Sequence, residues 1–344
     1  MIFRQLFDSV SSTYSYLLAS RRGGEALIID PVLDKVDRYI QLLNELDLRL
    51  VKAVDTHLHA DHITGLGALR DRTQCITVMG EQSKADVVSM RLADGEKLQI
   101  EGVNLDVIYT PGHTDDSYSF VMSDRVFTGD TLLIRGTGRT DFQNGDARAQ
   151  YESIFNRLLR LPDSTLVFPA HDYKGDTVST IGEEKAFNPR LQVTSVAEYA
   201  ELMNNLHLPD PKMMDVAVPA NMHVGFSQEQ IALKGWALTP SEAMMLIGRP
   251  DVAFVDLREQ GERAREGEIP GSLHTPYPEL GENVSCGGIL HELGATKQII
   301  FYCAFGERSA MAVQAAHDLG IASALHIQGG IAAWKMAKGP LFTR

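Results

Sequence analysis

Seven side chains in the first half of the chain form an ordered set that could do chemistry: His57, His59, Asp61, His62, His113, Asp130 and His171. In THLHADH a β-type run ending at Val54 hands over to a segment where His57 and His59, one residue apart, point the same way if the backbone is extended. Asp61 and His62 follow as the chain turns towards a helix. Four potential ligands within residues 57–62 make a wasteful core but a natural metal site, because imidazole and carboxylate suit the same divalent ions. The other three sit where further β-type runs end: His113 in TPGHT, Asp130 in FTGDT and His171 in FPAHD. His207, His223, His274, His291, His317 and His326 have no such setting and are read as surface or hydrogen-bonded core residues.

Cys303 is the second chemical feature. It follows the apolar run QIIFY and opens CAFGERS, after which a helix is expected from about Arg308. The loop N–H groups and the positive end of that helix both favour a thiolate, and Gly306 permits the tight turn. Arg308 can fold back on the loop or hold a bound anion. Cys75 and Cys286 lack this context and are read as structural.

The elements that must position these groups alternate. Strands are expected at Tyr14–Leu18, Ala26–Ile29, Leu50–Val54, Ile76–Val78, Leu105–Tyr109, Ser117–Met122, Arg125–Thr128 and Thr165–Phe168. Helices are expected at Val36–Leu46, Gly65–Arg70, Ala147–Leu161 (closed by Pro162) and Val196–Leu206. Pro209, Pro211 and Pro219 then punctuate a stretch reaching about Trp236, which places a domain boundary there: residues 1–223, a linker at 224–237, and a second domain at 238–344. In the second domain, Pro240–Ile247 and Ser309–Leu319 read as helices and Val252–Asp256 and Ile299–Tyr302 as strands, the pattern of a small parallel sheet covered on both faces. The fold class is α/β throughout.

A chain of 344 residues fits two domains at about 150 residues each. Its composition, 44% hydrophobic and 22% charged, is that of a folded globular protein and argues against disorder. Lys plus Arg (32) against Asp plus Glu (45) leaves a formal charge of −13 with no basic run, so nucleic acid is not an expected partner. The longest apolar run, Ile299–Phe305, is far short of the about 20 residues a spanning helix needs, so no membrane partner is expected. The N-terminus carries Asp8 and several serines where a signal peptide needs an apolar core, and it lacks an Arg-rich presequence character. Three widely spaced cysteines do not make a disulfide framework, so a reducing, cytoplasmic location is expected.

THLHADH, Gly112-His113, Gly129-Asp130 and His171 resemble the metallo-β-lactamase superfamily, which implies an N-terminal αββα sandwich. The run GRTDFQNGDARAQYESI (Gly138 to Ile154), with FPAHDYKGDTVSTIGEEKAFNPRL and VPANM, is more specific and resembles the persulfide dioxygenase (ethylmalonic encephalopathy protein) family over nearly all of residues 1–223. That resemblance implies one non-heme Fe(II) per chain, held by His57, His113 and Asp130 as a 2-His-1-carboxylate triad with about three positions open for substrate and dioxygen. It places His59, Asp61, His62 and His171 around the metal as hydrogen-bonding groups. The implied reaction takes glutathione persulfide, dioxygen and water to sulfite and glutathione. The two carboxylates of glutathione require a cationic, hydroxyl-bearing rim, for which Arg139, Tyr173 and Lys174 are the candidates.

CAFGERS, VDLRE (Val255 to Glu259), IPGSLHTP (Ile269 to Pro276) and QGGIAAW (Gln328 to Trp334) resemble single-domain rhodaneses, in the same order, over residues 238–337. The implied catalytic groups are Cys303 and Arg308, with Ala304, Phe305, Gly306, Glu307 and Ser309 completing a loop sized for one sulfur atom. Glu307 sets a negative charge beside a site for the thiosulfate dianion: either it points outward or the preferred donor is not thiosulfate. The expected whole is a fusion of bacterial type, in which Cys303 moves sulfane sulfur from thiosulfate to glutathione and the iron site oxidises the product. A homodimer is compatible with the sequence. The competing readings are a binuclear-metal hydroxyacylglutathione hydrolase with a rhodanese appendage, and a non-enzymatic sulfur-sensing scaffold.

Overall fold

The computed structural model describes residues 1–86, 88–206, 208, 214–222 and 228–342. The chain divides into two compact units, one drawn from Met1–Leu69, Thr77–Ala85 and Arg91–Met222, the other from the remainder, chiefly His223–Arg344. In the first unit β1 (Ile2–Asp8), β2 (Thr13–Ala19), β3 (Glu25–Ile29), β4 (Arg49–Val54), β5 (Ile76–Gly80) and β6 (Met90–Leu92) make one sheet in chain order. A second sheet runs β12-β11-β10-β9-β8-β7, from β7 (Lys97–Ile100), β8 (Val103–Tyr109), β9 (Tyr118–Val121), β10 (Arg125–Gly129), β11 (Leu166–Pro169) and β12 (Ser179–Thr180).

The αββα arrangement follows from which faces are apolar. β2 is buried along its whole length, so both of its faces are covered. On one side Tyr16 packs with Phe3, Phe127 and Phe168 at centroid separations of 4.9–6.1 Å, which knits the two sheets together. Helix Val36–Glu45 buries Val36, Tyr39, Leu42 and Leu43, an i, i+3, i+6, i+7 stripe. On the second sheet, Val121, Val126 and Val167 form one cluster with Ile154 of helix Ala147–Asn156 and Tyr199 and Met203 of helix Val196–Asn204.

The second unit has one sheet, β13-β17-β16-β14-β15, made of β13 (Ala237–Leu238), β14 (Val252–Asp256), β15 (Leu273–His274), β16 (Gln298–Tyr302) and β17 (Leu325–Ile327), with every pair parallel. Alternate residues of β16 enter two separate cores: Ile299 and Phe301 join Val313 and Ala316 of helix Glu307–Asp318, while Ile300 and Tyr302 join Trp334 and Ile331. That two-sided burial makes the strand a continuous apolar run.

Three expectations need correction. Helix Ala147–Leu161 ends as an α-helix at Asn156 and continues as a 3-10 turn, Leu158–Arg160. Pro219 does not break the chain but lies inside helix Met214–Met222, where the lost N–H costs one backbone bond while the neighbouring Asn221 is anchored by side-chain bonds. Cys286, read as structural, is exposed, whereas Cys75 is fully buried and its thiol is pushed up to about 12 by desolvation. Pro209, Pro211, His207, His223 and residues 224–227 of the expected linker lie outside the described residues. The rest of that linker holds helix Gln228–Leu233, whose Ile231 is buried in the core of the second unit.

Candidate functional site

Strand ends deliver the first constellation. β4 stops at Val54 because Asp30 captures the next turn, accepting from the backbone N–H of Thr56 at 2.7 Å and from its hydroxyl at 3.1 Å. Having given its proton to Asp30, Thr56 Oγ1 can only accept from His57 Nδ1, 2.9 Å away, which leaves His57 Nε2 as a lone pair. His113 Nδ1 donates to the Arg139 carbonyl at 2.8 Å, with the same result. Asp130 Oδ2 lies 3.6 Å from His113 Nε2, and one ligand atom from each of His57, His113 and Asp130 falls within 4.8 Å of the others. All three residues are buried. Desolvation, then His59, holds the His57 pKa well below the usual imidazole value, so it is a neutral donor. Burial raises the Asp130 carboxyl, but His171, His113 and His57 together bring it below the ordinary carboxylate range. Two imidazole nitrogens and one carboxylate oxygen fit a divalent metal ion.

The remaining four residues form a hydrogen-bonded wall. His171 bridges two carboxylates, Nδ1 to Asp130 Oδ1 and Nε2 to Asp61 Oδ2, both at 2.7 Å. Burial opposes its protonation, but those two partners outweigh burial and raise it well above the usual value. Thr13 of β2 reaches Asp61 at 3.1 Å and His171 Nε2 at 3.1 Å, and His62 Nδ1 meets Asp61 at 3.0 Å. His59 Nε2 faces Asp30 Oδ1 at 3.2 Å, while His59 Nδ1 and His62 Nε2 are buried with no hydrogen-bond partner among the described residues.

Two supports escaped the sequence reading. Asn221 clamps the histidine loop by donating to the carbonyls of His59 and His62, both at 2.9 Å, and accepting from Thr64 N–H at 2.9 Å. Its only sequence signal is its place in VPANM. Gly138 passes so close to the site that a Cβ there would lie 2.2 Å from the Asp130 carbonyl and 2.8 Å from His113 Nδ1. Gly138→Ala should therefore push His113 off the Arg139 carbonyl and weaken metal affinity about 10–100-fold in a folded protein, as loss of a histidine's orienting partner does. Competition titration against a chelator measures this, and unchanged affinity would remove Gly138 from the design of the site.

Of the rim candidates, Tyr173 is exposed and lies parallel to the His171 ring, at an interplanar angle of 4° and a centroid distance of 6.1 Å. Lys174 is exposed on the turn that Asp172 Oδ2 organises through three successive N–H groups. Arg139 holds His113 through its backbone, but its guanidinium is bound by both oxygens of Asp141 at 2.6 and 2.7 Å. A cavity of about 180 Å³ opens instead between the two ligand loops, lined by Leu58, Gln82, Thr114, Asp116, Gln143 and Met222 among others. Gln143 donates to the Leu58 carbonyl at 3.0 Å from a left-handed backbone, φ +50°, followed by Asn144 at φ +59°.

The second unit presents Cys303 at the end of β16. The thiol is buried, and Sγ accepts from Gly306 N–H at 3.1 Å with Ser309 Oγ 3.7 Å away. Gly306 (φ +100°) makes this turn, and Gly330 (φ +56°) lets a second turn close over it, since a Cβ there would stand 2.4 Å from the Cys303 carbonyl. Arg308 is fully buried and holds Glu262 with both terminal nitrogens, at 2.8 and 2.5 Å, rather than reaching over the loop; its Nε has no hydrogen-bond partner among the described residues. The Ala304 carbonyl accepts from Ala332, and Phe305 is exposed. The Glu307 side chain lies outside the described residues. Glu262 and Gln228 were not foreseen, whereas His326 is a hydrogen-bonded core histidine, as expected. Gln228 donates to the Phe305 carbonyl at 2.9 Å and accepts from Gly329 N–H at 2.8 Å.

Histidines and acids gathered at the strand ends of a two-sheet sandwich, and a cysteine turn on a parallel sheet, make this a metallo-β-lactamase-fold protein joined to a rhodanese-like domain. Residues 8–87 and 80–171 match the metallo-β-lactamase superfamily, and residues 239–337 match the rhodanese-like domain. The chain belongs to the persulfide dioxygenase family. Over 228 residues it is 47% identical to the mitochondrial persulfide dioxygenase ETHE1 of Homo sapiens, a match covering 65% of this chain and 89% of that protein. The crystal structure of ETHE1 from Myxococcus xanthus superposes with a TM-score of 0.64 at 53% identity, covering 66% of this chain and all of that one. A metallo-β-lactamase from Staphylococcus aureus, 22% identical with a TM-score of 0.61, shares the fold over 96% of this chain and 98% of its own.

Proposed function

We propose that this chain is a glutathione persulfide dioxygenase fused to a thiosulfate sulfurtransferase, with one non-heme Fe(II) held by His57, His113 and Asp130. The observation that carries the reading is one buried cluster in which a ligand atom of each of His57, His113 and Asp130 lies within 4.8 Å of the others, while Asp130 Oδ1 is engaged by His171. A ferrous ion held there would supply the redox chemistry that dioxygen requires. Thr56 and the Arg139 carbonyl would orient the two ligand imidazoles, and His171 bridges Asp130 and Asp61 beside them, the two carboxylates favouring its protonated form. The overall change is glutathione persulfide plus dioxygen plus water to glutathione plus sulfite. The cavity beside Leu58 and Thr114 gives the peptide a place to lie, and Tyr173 and Lys174 remain the candidate rim on the other loop.

In the second unit the Cys303 thiolate attacks the outer sulfur of thiosulfate, sulfite leaves, and the Cys303 persulfide then passes that sulfur to the glutathione thiolate. Gly306 N–H supports the negative charge on Cys303, and helix Glu307–Asp318 begins beside it. Three cysteines without a disulfide suit a cytoplasmic setting.

One observation favours a second reading. The unpartnered His59 Nδ1 and His62 Nε2, with Asp61 beside them, could hold a second metal, as a hydrolase of glutathione thioesters would require. Metal analysis with an oxygen-electrode trace decides between the two. One iron per chain and oxygen uptake on glutathione persulfide are expected; two metals per chain, thioester hydrolysis and no oxygen uptake would overturn the dioxygenase reading.

A further inference from the structure

His326 is a buried titratable residue that the sulfur-transfer scheme does not use. It sits in β17, fully buried between β13 and β16, with its backbone N–H donating to the Trp236 carbonyl at 3.0 Å. Its Nδ1 is 3.2 Å from Ser309 Oγ, and its Nε2 is buried with no hydrogen-bond partner among the described residues. Ser309 Oγ in turn is 3.0 Å from the Gly306 carbonyl, where only the hydroxyl can be the donor, and 3.7 Å from Cys303 Sγ.

These contacts set the direction of the chain. With its proton committed to Gly306, the Ser309 oxygen must accept from His326 Nδ1, so the ring carries its hydrogen there and the unpartnered Nε2 is a lone pair. A lone pair is the less costly atom to leave buried, which is consistent with desolvation pushing the His326 pKa down to about 4 and keeping the ring neutral at physiological pH. Ser309 is thereby pinned between the turn that donates to Cys303 Sγ and the strand beside it. Without His326 the hydroxyl keeps only the Gly306 carbonyl and Cys303 Sγ as neighbours, and the Gly306 turn loses one of its ties to β17.

We propose that His326 is a positioning residue of the sulfur-transfer site, holding Ser309 so that the Gly306 turn presents its N–H to the Cys303 sulfur. The proposal rests on the reading of Cys303 as the sulfur acceptor. The other ionisable groups around this sulfur are Arg308, its partner Glu262 on helix Gln260–Glu266, Glu259 at the start of that helix, and Tyr277, which packs in the same cluster. All are unchanged in the variants below, and His326 stays neutral over the assay range.

The test uses the full-length protein with His326→Leu, His326→Asn, Ser309→Ala and the His326→Leu/Ser309→Ala double variant. Asparagine replaces the Nδ1 donor, whereas leucine removes it. Alkylation of Cys303 by iodoacetamide, read by peptide mapping so that the exposed Cys286 does not interfere, is followed between about pH 6 and pH 9, where a thiol titrates. His326→Leu and Ser309→Ala should each slow alkylation near neutral pH roughly three- to tenfold and move its midpoint upward, the effect of one hydrogen bond to the loop. Thiosulfate kcat should fall with little change in KM. His326→Asn should restore the wild-type profile, and the double variant should be no worse than either single one. A wild-type profile in Ser309→Ala, or an asparagine variant displaced as far as the leucine variant, would overturn the proposal and leave His326 a packing residue. Sulfur transfer surviving in Cys303→Ser would instead defeat the reading on which the proposal rests.

Discussion

Replacing Asp130 with alanine is expected to leave the protein without bound iron and to reduce persulfide-dependent oxygen uptake to background, while thiosulfate sulfurtransferase activity persists. The carboxylate does two jobs at once, with Oδ2 facing His113 Nε2 and Oδ1 binding His171. Its removal takes one of three ligands and also leaves a buried imidazolium facing Asp61 alone, a loss of about 3 kcal/mol or more when one partner of a buried pair is deleted. His113→Ala should give the same metal loss with less destabilisation, because His171 keeps both carboxylates. Sulfur transfer should survive both changes because the Cys303 loop is built on cores of its own, around Phe301 and Val313 on one face and Ile300 and Trp334 on the other. Metal analysis, oxygen uptake and cyanide-coupled sulfur transfer on the same folded preparation check this. Joint loss of both activities in a folded variant would refute independent sites.

The second large effect is expected at Cys303. A serine hydroxyl is barely ionised at neutral pH and cannot form a persulfide, so Cys303→Ser should abolish sulfur transfer from thiosulfate. The metal ligands are untouched, and the variant should consume oxygen at the wild-type rate when glutathione persulfide is supplied. The discriminating mixture is thiosulfate with glutathione: wild type should consume oxygen, because sulfur transfer generates the persulfide, and Cys303→Ser should not. If wild type also fails on that mixture, the transfer runs mainly in the opposite direction, from persulfide to thiosulfate, and the forward coupling proposed here is wrong.

Much of this protein is legible in its sequence, for a local reason. Side chains that could hold a metal sit at strand ends in a fixed order, so THLHADH, Gly112-His113, Gly129-Asp130 and His171 stand out one segment at a time, and CAFGERS does the same for the thiol. Strands such as β2, β4 and β16 were readable because they are rich in β-branched, aromatic and aliphatic residues, β16 as a nearly continuous apolar run. Short edge strands such as β6, β12 and β15 were not, since two or three residues carry no periodicity and pair only because a neighbouring strand offers its edge.

The amino-acid sequence by itself determined the α/β fold class, which follows from local periodicity and turn residues, and its motifs carried the family resemblance. Only the tertiary structure decided how the chemical groups are held. Arg139, read as a substrate-binding cation, accepts from His113 Nδ1 at its carbonyl while Asp141 binds its guanidinium. Asn221 reaches back 162 residues to the His59 carbonyl, and His326 of β17 meets Ser309 on helix Glu307–Asp318. A hydrogen bond depends on distance and angle between atoms that folding brings together, and neither quantity is written in the spacing of residues along the chain.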